Sequence, residues 1–431
     1  MPSITAAKPP VSKTYVIAAA TIGTALEFYD FAIYSFFSIQ IGKLFFPQFS
    51  SISQFLLSIA VFGVGFVIRP IGGVVIGAYA DRVGRKKAMV LTIMLMAISC
   101  ALIACAPPYS VAGVAAPIIV LIARLVQGFA AGGEFGPGTT LLMEYATDKK
   151  RAFFASWNFA ATALGLVFGS IVATLINTLL DKDLVASWGW RLPFLLGIVA
   201  APLGSLIRTR LEETLIVDAA GTTARQPAFG ALKAVLTKHL DLTMVGTLAE
   251  LGGSVSVYIT AFFLPAHAIR TLHMSSTHAA ISGVVSSLVL FLSAPIMGYL
   301  ADRFSRKRVL LISRCAMIIV VYPAFLLLSM HPTLIMLCGV SAVLAVLVTG
   351  QIIPVLVMIP EMFPTNVRAT GIAMTYVVSA SIFGGFSPLI AAVLTARSGN
   401  PLAPAWYVAA ACLMSLFALI WLRDRTGEKL T

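Results

Sequence analysis

Charge is scarce in this chain. Only 11% of its 431 residues are Asp, Glu, Lys or Arg, against roughly 25% in soluble domains, while 59% are hydrophobic and the mean hydropathy is +0.95. That balance excludes a water-soluble globular domain. Cysteine is sparse as well: Cys100, Cys105, Cys315, Cys338 and Cys412 all lie in apolar runs, with neither metal-ligand spacing nor a pair of loops to bridge. Zinc and a disulfide framework are therefore not expected. There is no Gly-x-x-x-x-Gly-Lys-Ser/Thr phosphate loop and no His-Glu-x-x-His pair, so the residues of nucleotide-driven pumping and of metal-assisted hydrolysis are missing. An enzyme is not expected, and no cofactor is implied. Nothing resembles a selectivity filter or a signalling domain. The five histidines, His239, His267, His273, His278 and His331, fall in loops or at helix ends, which leaves none as a midplane proton relay. The formal charge of +13 would suit a nucleic-acid binder, but that needs Lys and Arg gathered on a soluble domain. Here they sit in short clusters between apolar runs, so nucleic acid is not an expected partner.

What the chain has is apolar length. At about 20 residues per crossing, twelve segments read as transmembrane helices: 15 to 37, 54 to 80, 88 to 106, 112 to 137, 152 to 180, 191 to 210, 242 to 267, 277 to 301, 309 to 329, 333 to 358, 369 to 396 and 403 to 422. Barrel strands would alternate over about 10 residues instead, so the expected fold class is an all-α protein of the lipid bilayer. The first segment is too long, with acids at its centre, for a cleaved signal peptide, and is expected to remain. Of the 30 Lys and Arg, only Lys43, Lys182, Arg270 and Arg397 lie in loops on one side, and Arg69, Arg124, Arg191 and Arg314 lie within helices. The rest share a side with both termini, which the positive-inside rule makes cytoplasmic. The longest polar stretch, 211 to 241 with "RQPAFGALKAVLTKH", is the expected central cytoplasmic loop between a six-helix bundle over 1 to 210 and another over 242 to 431.

An internal repeat supports the division: "GAYADRVGRKK" at 77 to 87 recurs as "GYLADRFSRKR" at 298 to 308, with Asp81 and Asp302 221 residues apart. This Gly-x-x-x-Asp-Arg-x-x-Arg order resembles the signature loop of the major facilitator superfamily, and "RLVQGFAAGG" at 124 to 133 is a second element of that kind. "GTALEFYDFAIY", "FGVGFVIRPIGG", "GGEFGPG", "SWGWRLPF" and "PEMFPTNVRATG" are similar to its metabolite:proton symporters. That branch carries citrate, 2-oxoglutarate, related carboxylates, shikimate, and zwitterions such as proline and betaine. Two positions depart from the pattern: Thr24 stands where the family usually has Asn, and Ser305 where the second loop usually has Gly. The resemblance implies twelve transmembrane helices in two pseudo-symmetric six-helix bundles and alternating access about a midplane site. It also implies a monomer in the bacterial inner membrane that imports a small organic acid together with protons. The alternative is shikimate or a zwitterion. The stretch "SIFGGFSPLIAAVL" looks like the citrate and 2-oxoglutarate carriers, whereas Glu250 before "VYITAF" looks more like the shikimate branch.

Ionisable groups inside apolar helices are costly and mark function. In the first half these are Glu27, Asp30, Arg69, Arg124 and Glu134. Glu27 and Asp30 are three apart and share a helix face. Arg69 lies 12 residues before Asp81, about 18 Å of helix, and so near midplane. A carboxylate in a dry site changes its hold on a proton when a cation approaches or leaves. Asp30 is the first candidate for proton carrier and Glu27 the second, with Arg124 as partner, the role that the resemblance implies for the matching Arg. For Glu27 and Arg124 the alternative is a permanent ion pair that orders the bundle. A substrate carboxylate needs guanidinium groups, for which Arg69 and Arg124 are available, with Tyr29, Gln127, Trp157, Asn158, Tyr258 and Gln351 as polar or aromatic contacts. Tyr258 is equally open to a packing role. Glu250 reads as a second protonatable group, as a contact to a substrate hydroxyl or amine, or as structure. Arg314 is expected to snorkel to the membrane surface, and Arg191 to anchor a helix at the opposite interface. Asp81, Arg82, Arg85, Glu144, Arg151, Asp302, Glu361 and Arg368 share the inner face and read as a gate of ion pairs, with Asp81 facing the start of the eleventh helix. Gly165 and Gly169 fit close helix packing.

Overall fold

The computed structural model describes residues 13–83, 85–132, 146–147, 149–209, 234–364 and 367–428. Among them every regular element is helical. We number the long passes α1 (Lys13–Phe36), α2 (Ser51–Val67 continued by Arg69–Val83), α3 (Arg85–Cys105), α4 (Ala115–Gly132), α5 (Arg151–Leu179) and α6 (Leu192–Thr209). The second half follows with α7 (Leu240–Tyr258, Ile259–Phe263 and Leu264–Arg270), α8 (Ser276–Phe304), α9 (Arg306–Met330) and α10 (Leu334–Met362). It ends with α11 (Arg368–Val378, Ser379–Gly384 and Ser387–Ser398) and α12 (Ala403–Trp421). Nine stretches among the described residues are long and apolar enough to cross a bilayer. The other three passes are α1, which carries the two acids, and the shorter apolar runs within α3 and α6. All twelve expected helices are present.

Their ends follow local chemistry. The hydroxyls of Ser275, Ser305 and Thr333 accept the orphan N–H of His278, Arg308 and Met336 at the starts of α8, α9 and α10. Gly399, with φ of 64°, closes α11 in the left-handed conformation. Where the sequence reads as unbroken helix, α7 and α11 each contain one π-helical segment, Ile259–Phe263 and Ser379–Gly384. Such wider turns are rare and gather at functional sites.

The two halves meet mainly where α5 lies along α8, and α5 also lies along α1. Small residues set these distances. A methyl on Gly165 would come within 2.1 Å of the Ala25 carbonyl of α1, and one on Gly298 of α8 within 2.8 Å of the Ala152 carbonyl of α5. Phe31, Phe62 and Phe66 pack with Tyr258 and Phe262 of α7 at ring separations of 5.2–5.8 Å, filling the seam between α2 and α7. The expected central loop falls mostly on residues 210–233, outside the described residues, while 234–238 are already helical.

Candidate functional site

Glu27 and Asp30 lead from one face of α1 to two different neighbours. Glu27 is ion-paired with Arg69, the residue at which α2 resumes after Ile68. The Arg69 guanidinium also lies 4.2 Å from the centre of the Phe66 ring and 5.1 Å from that of Phe31, so its desolvation is offset by both ion pairing and cation–π attraction. Asp30 reaches Arg124 through a bridge. The Gln127 amide donates to Asp30, and its carbonyl oxygen accepts from Arg124, three residues earlier on α4. Arg124 lies 3.7 Å from the centre of the Tyr34 ring. Both acids and both guanidinium groups are buried. Two cations thus share two anions in a dry region, where an unpaired charge is costly.

Tyr29 is turned elsewhere: its hydroxyl donates to the Pro193 carbonyl of α6 at 2.8 Å, within the first bundle. Trp157 is half-buried and stands edge-on to Phe153. Asn158 is buried on α5, one turn before Thr162, whose hydroxyl donates to the Asn158 carbonyl. Glu134 and Glu144 lie outside the described residues, as do the side chains of Asp81, Arg82 and Arg85.

Between the halves lies a cavity of about 20 Å³, bounded by Phe28 of α1, Thr162 of α5, Glu250 and Tyr258 of α7, Ile352 of α10 and Tyr376 of α11 among others. It has room for about one water, whereas a ligand pocket needs at least about 300 Å³. The bundle is therefore contracted around its centre. Tyr258 lines this cavity and stands edge-on to Phe66 at 5.4 Å, so the Arg69–Glu27 pair lies just behind the Tyr258 and Phe66 rings.

One expectation is corrected in the second half. Arg314 does not snorkel: it is fully buried, its Nη1 donates to the Ala249 carbonyl at 2.9 Å and to Ser415, and its Nε donates to Gln351 Oε1 at 3.2 Å. The expectation rested on depth, but the rotation of α9 points this side chain at α7, α10 and α12, where Gly252 leaves it space. Gln351 is accordingly occupied with Arg314 and does not line the cavity. His267 lies in the last turn of α7, which ends at Arg270. Its ring is buried between those of Phe263 and Phe325, at 5.5 and 5.7 Å. Arg191 does sit as a cap between segments, donating to the Ser187 and Ala106 carbonyls at 2.9 Å each.

At the basic face two of the residues read as a gate, Arg151 and Glu361, meet. Glu361, at the end of α10, accepts from Arg306 at 2.5 Å and from Arg151 at 3.1 Å. Asp302 accepts the N–H groups of Ala152 and Phe153 at 3.0 and 2.9 Å, where the positive end of the α5 dipole favours an anion. This is the pseudo-symmetric counterpart of the contact expected between Asp81 and α11. Arg368 donates to the Phe363 carbonyl at 3.2 Å. The C-terminal tail joins in: Arg425 donates to the Glu361 carbonyl at 2.9 Å, Arg151 to the Glu428 carbonyl at 2.8 Å, and Ser305 to Asp424. Burial pushes the Asp424 carboxyl up, but hydrogen bonds from Ser305 and Thr426 and the Arg306 charge together hold it below the usual carboxylate range. On the opposite face Ser35 donates to the Phe262 carbonyl at 2.5 Å and Arg270 to the Ser51 carbonyl at 2.7 Å. Contacts between the halves thus close both faces.

Sequence reasoning gave Arg306 and Tyr376 no role of their own, and it passed over a second repeat. "GTALE" at 23 to 27 recurs as "GTLAE" at 246 to 250, so that Glu27 and Glu250 hold matching places on the first helix of each half.

Comparison with known proteins adds to this geometry. Residues 16–227 match the family described as "Sugar (and other) transporter", and residues 247–431 match the family described as "Major Facilitator Superfamily". The citrate-proton symporter of Klebsiella pneumoniae is 31% identical over 419 residues, covering 96% of this chain and 93% of that protein. The glycine betaine/proline/ectoine/pipecolic acid transporter OusA of Dickeya dadantii is 32% identical over 424 residues, covering 96% and 84%. The proline/betaine transporter of Escherichia coli K12 is 31% identical over 426 residues, with the same coverage. Among solved structures, the partially occluded, inward-open xylose transporter XylE of E. coli superposes with a TM-score of 0.78 over 97% of this chain and 99% of that one, at 18% identity.

Proposed function

We propose that this chain, which belongs to the major facilitator superfamily and within it to the family of the citrate-proton symporters and proline/betaine transporters, imports a small carboxylate-bearing solute together with protons. Citrate, proline and betaine, named for those relatives, have a carboxylate in common. The observation that carries the reading is the buried set of two acids and two guanidinium groups contributed by α1, α2 and α4.

The set couples proton to solute by counting anions. With both acids charged, Arg69 and Arg124 each have a partner, and a third carboxylate entering the dry site would find no free cation. When Asp30 takes a proton, Glu27 is the one anion left between two guanidinium groups. Glu27 and Asp30 are about 5–6 Å apart at Cβ, close enough for Glu27 to be drawn toward Arg124. Arg69 is then free to grip the solute carboxylate with two parallel hydrogen bonds. Proton and carboxylate therefore favour each other's binding. Each alone leaves a buried charge unpaired, at a cost of about 3–5 kcal/mol, and this penalty opposes movement of either by itself.

Alternating access follows from the two halves rocking about the α5–α8 contact. Opening at the basic face requires Glu361 to leave Arg151 and Asp302 to leave the α5 N-terminus. We place that face in the cytoplasm by the positive-inside rule, the bundles at 1 to 210 and 242 to 431 with the loop 211 to 241 between them, and the chain as a monomer in the bacterial inner membrane. Proteoliposomes with a neutral interior in acidic medium test the reading. Labelled citrate, 2-oxoglutarate, shikimate and proline are offered with and without a protonophore, and accumulation of at least one that the protonophore abolishes is expected. Protonophore-insensitive equilibration of all four would overturn it.

A further inference from the structure

The scheme above leaves Glu250 without a task. It is the charged residue among those lining the central cavity, it is 2% exposed, and its Oε1 accepts from Ser254 at 3.3 Å while its Oε2 has no hydrogen-bond partner among the described residues. Its counterpart Glu27 is satisfied by Arg69, but the repeat that pairs Asp81 with Asp302 puts Leu290, a buried aliphatic residue, in the place of Arg69. Arg314 does not fill that place. It holds the neighbouring Ala249 carbonyl, Ser415 and Gln351, and no described ion pair joins it to Glu250. A carboxylate is thus presented to the cavity with an oxygen held in reserve, which is costly unless something arrives to meet it.

The rings around it say what would fit. Phe28, Phe159, Tyr258 and Tyr376 line the same cavity, and a carboxylate among aromatic rings suits a cationic nitrogen, through charge pairing and cation–π attraction together. A second carboxylate on the solute would instead meet like charge in a region of low dielectric. We propose that Glu250 is the subsite for a positively charged nitrogen on the transported solute, which is therefore a zwitterion rather than a di- or tricarboxylate. Its carboxylate goes to Arg69, behind Tyr258 and Phe66, and its nitrogen to Glu250 on the other side of the cavity. This rests on the carboxylate reading of Arg69 given above.

Uncharged isosteres isolate the nitrogen. Glycine betaine and 3,3-dimethylbutanoate differ by N⁺ against C, and proline and cyclopentanecarboxylate by a ring nitrogen against carbon. Binding of each to the purified full-length protein is measured by titration calorimetry, alongside citrate and 2-oxoglutarate. At least one zwitterion is expected to bind at least about tenfold tighter than its isostere, with the ratio falling to within about threefold in Glu250→Gln and recovering its sign in Glu250→Asp. Isosteres, citrate or 2-oxoglutarate binding as tightly as the zwitterions, or an unchanged ratio in a folded Glu250→Gln, would overturn the subsite while leaving the carboxylate reading intact. If Glu250→Gln does not fold, the wild-type ratio and Glu250→Asp decide. Absence of binding by every carboxylate offered would overturn both.

Discussion

Asp30→Asn removes one of the two anions that Arg69 and Arg124 share while keeping shape and hydrogen-bonding capacity. Losing the partner of a buried charge costs about 3–5 kcal/mol. Arg124 keeps its position over the Tyr34 ring at 3.7 Å, a contact common to both proteins that does not offset this cost. The variant should therefore be destabilised by roughly 3–5 kcal/mol in the empty state. A solute carboxylate recovers that deficit, so carboxylate affinity at neutral pH should rise by at least about 100-fold and lose most of its dependence on pH. Coupling is lost at the same time, since the anion place is vacant whether or not a proton is present. The assay is paired: counterflow exchange of labelled solute, and accumulation driven by a proton gradient, in the same proteoliposomes. Exchange should persist and protonophore-sensitive accumulation should vanish. Full gradient-driven accumulation by Asp30→Asn would refute the shared-anion mechanism.

Other consequences are as direct. Arg69→Lys keeps the charge but loses the two-pronged grip and the planar contact with the Phe66 and Phe31 rings, so KM for the solute should rise at least about tenfold with coupling retained; an unchanged KM would remove Arg69 from the binding site. Glu361→Gln removes the carboxylate held between Arg151 and Arg306, leaving Arg306 with Asp302 at 3.6 Å, and the basic face should open more often. Hydrogen exchange of the Ala152 and Phe153 amides, now bonded to Asp302, should accelerate about tenfold, and unaltered protection would argue against a gate. Ser305 sits at φ of 143°, a conformation suited to Gly, while its hydroxyl caps α9 and binds Asp424. Ser305→Ala keeps the strain and loses both bonds, and should lower stability by about 1–2 kcal/mol, more than Ser305→Gly, which relieves the strain; the reverse order in thermal unfolding would contradict this. The Asp424 carboxyl is held below its unfolded value, so its contribution is fully present above the ordinary carboxylate range and is lost as pH falls through the folded-state value. Exchange at the tail should therefore rise on acidification, and Asp424→Asn should flatten that rise.

Length and hydropathy were enough to read all twelve passes, because a bilayer demands about 20 apolar residues of each whatever its neighbours are. The meeting of Arg151 with Glu361 and of Asp302 with the start of α5 was legible for a related reason: these residues lie at helix ends, where the order in sequence nearly fixes the place in space. Depth was legible too, and it brought Glu27 toward Arg69. What depth cannot supply is the rotation of a helix about its axis, which is set by close packing such as that of Gly165 against Ala25 and Gly252 beside Arg314. For that reason Gln127 was not foreseen as the link between Asp30 and Arg124, Arg314 read as a surface group, and Tyr29 read as a cavity residue when it faces α6. The π-helical turns of α7 and α11 carry no marker in composition. The "GTALE" and "GTLAE" repeat was open to inspection, but the residues after it diverge, and its meaning emerges only once Arg69 is seen beside Glu27 and Leu290 is found in the matching place.

The central claim is that solute and proton enter together through one buried set of charges. It is tested most directly by adding a zwitterionic or carboxylate solute to lightly buffered proteoliposomes with no imposed gradient and recording external pH. Solute entry should alkalinise the medium in the wild type, with the signal collapsed by a protonophore and absent in Asp30→Asn. Saturable solute entry with no accompanying proton movement would contradict the account.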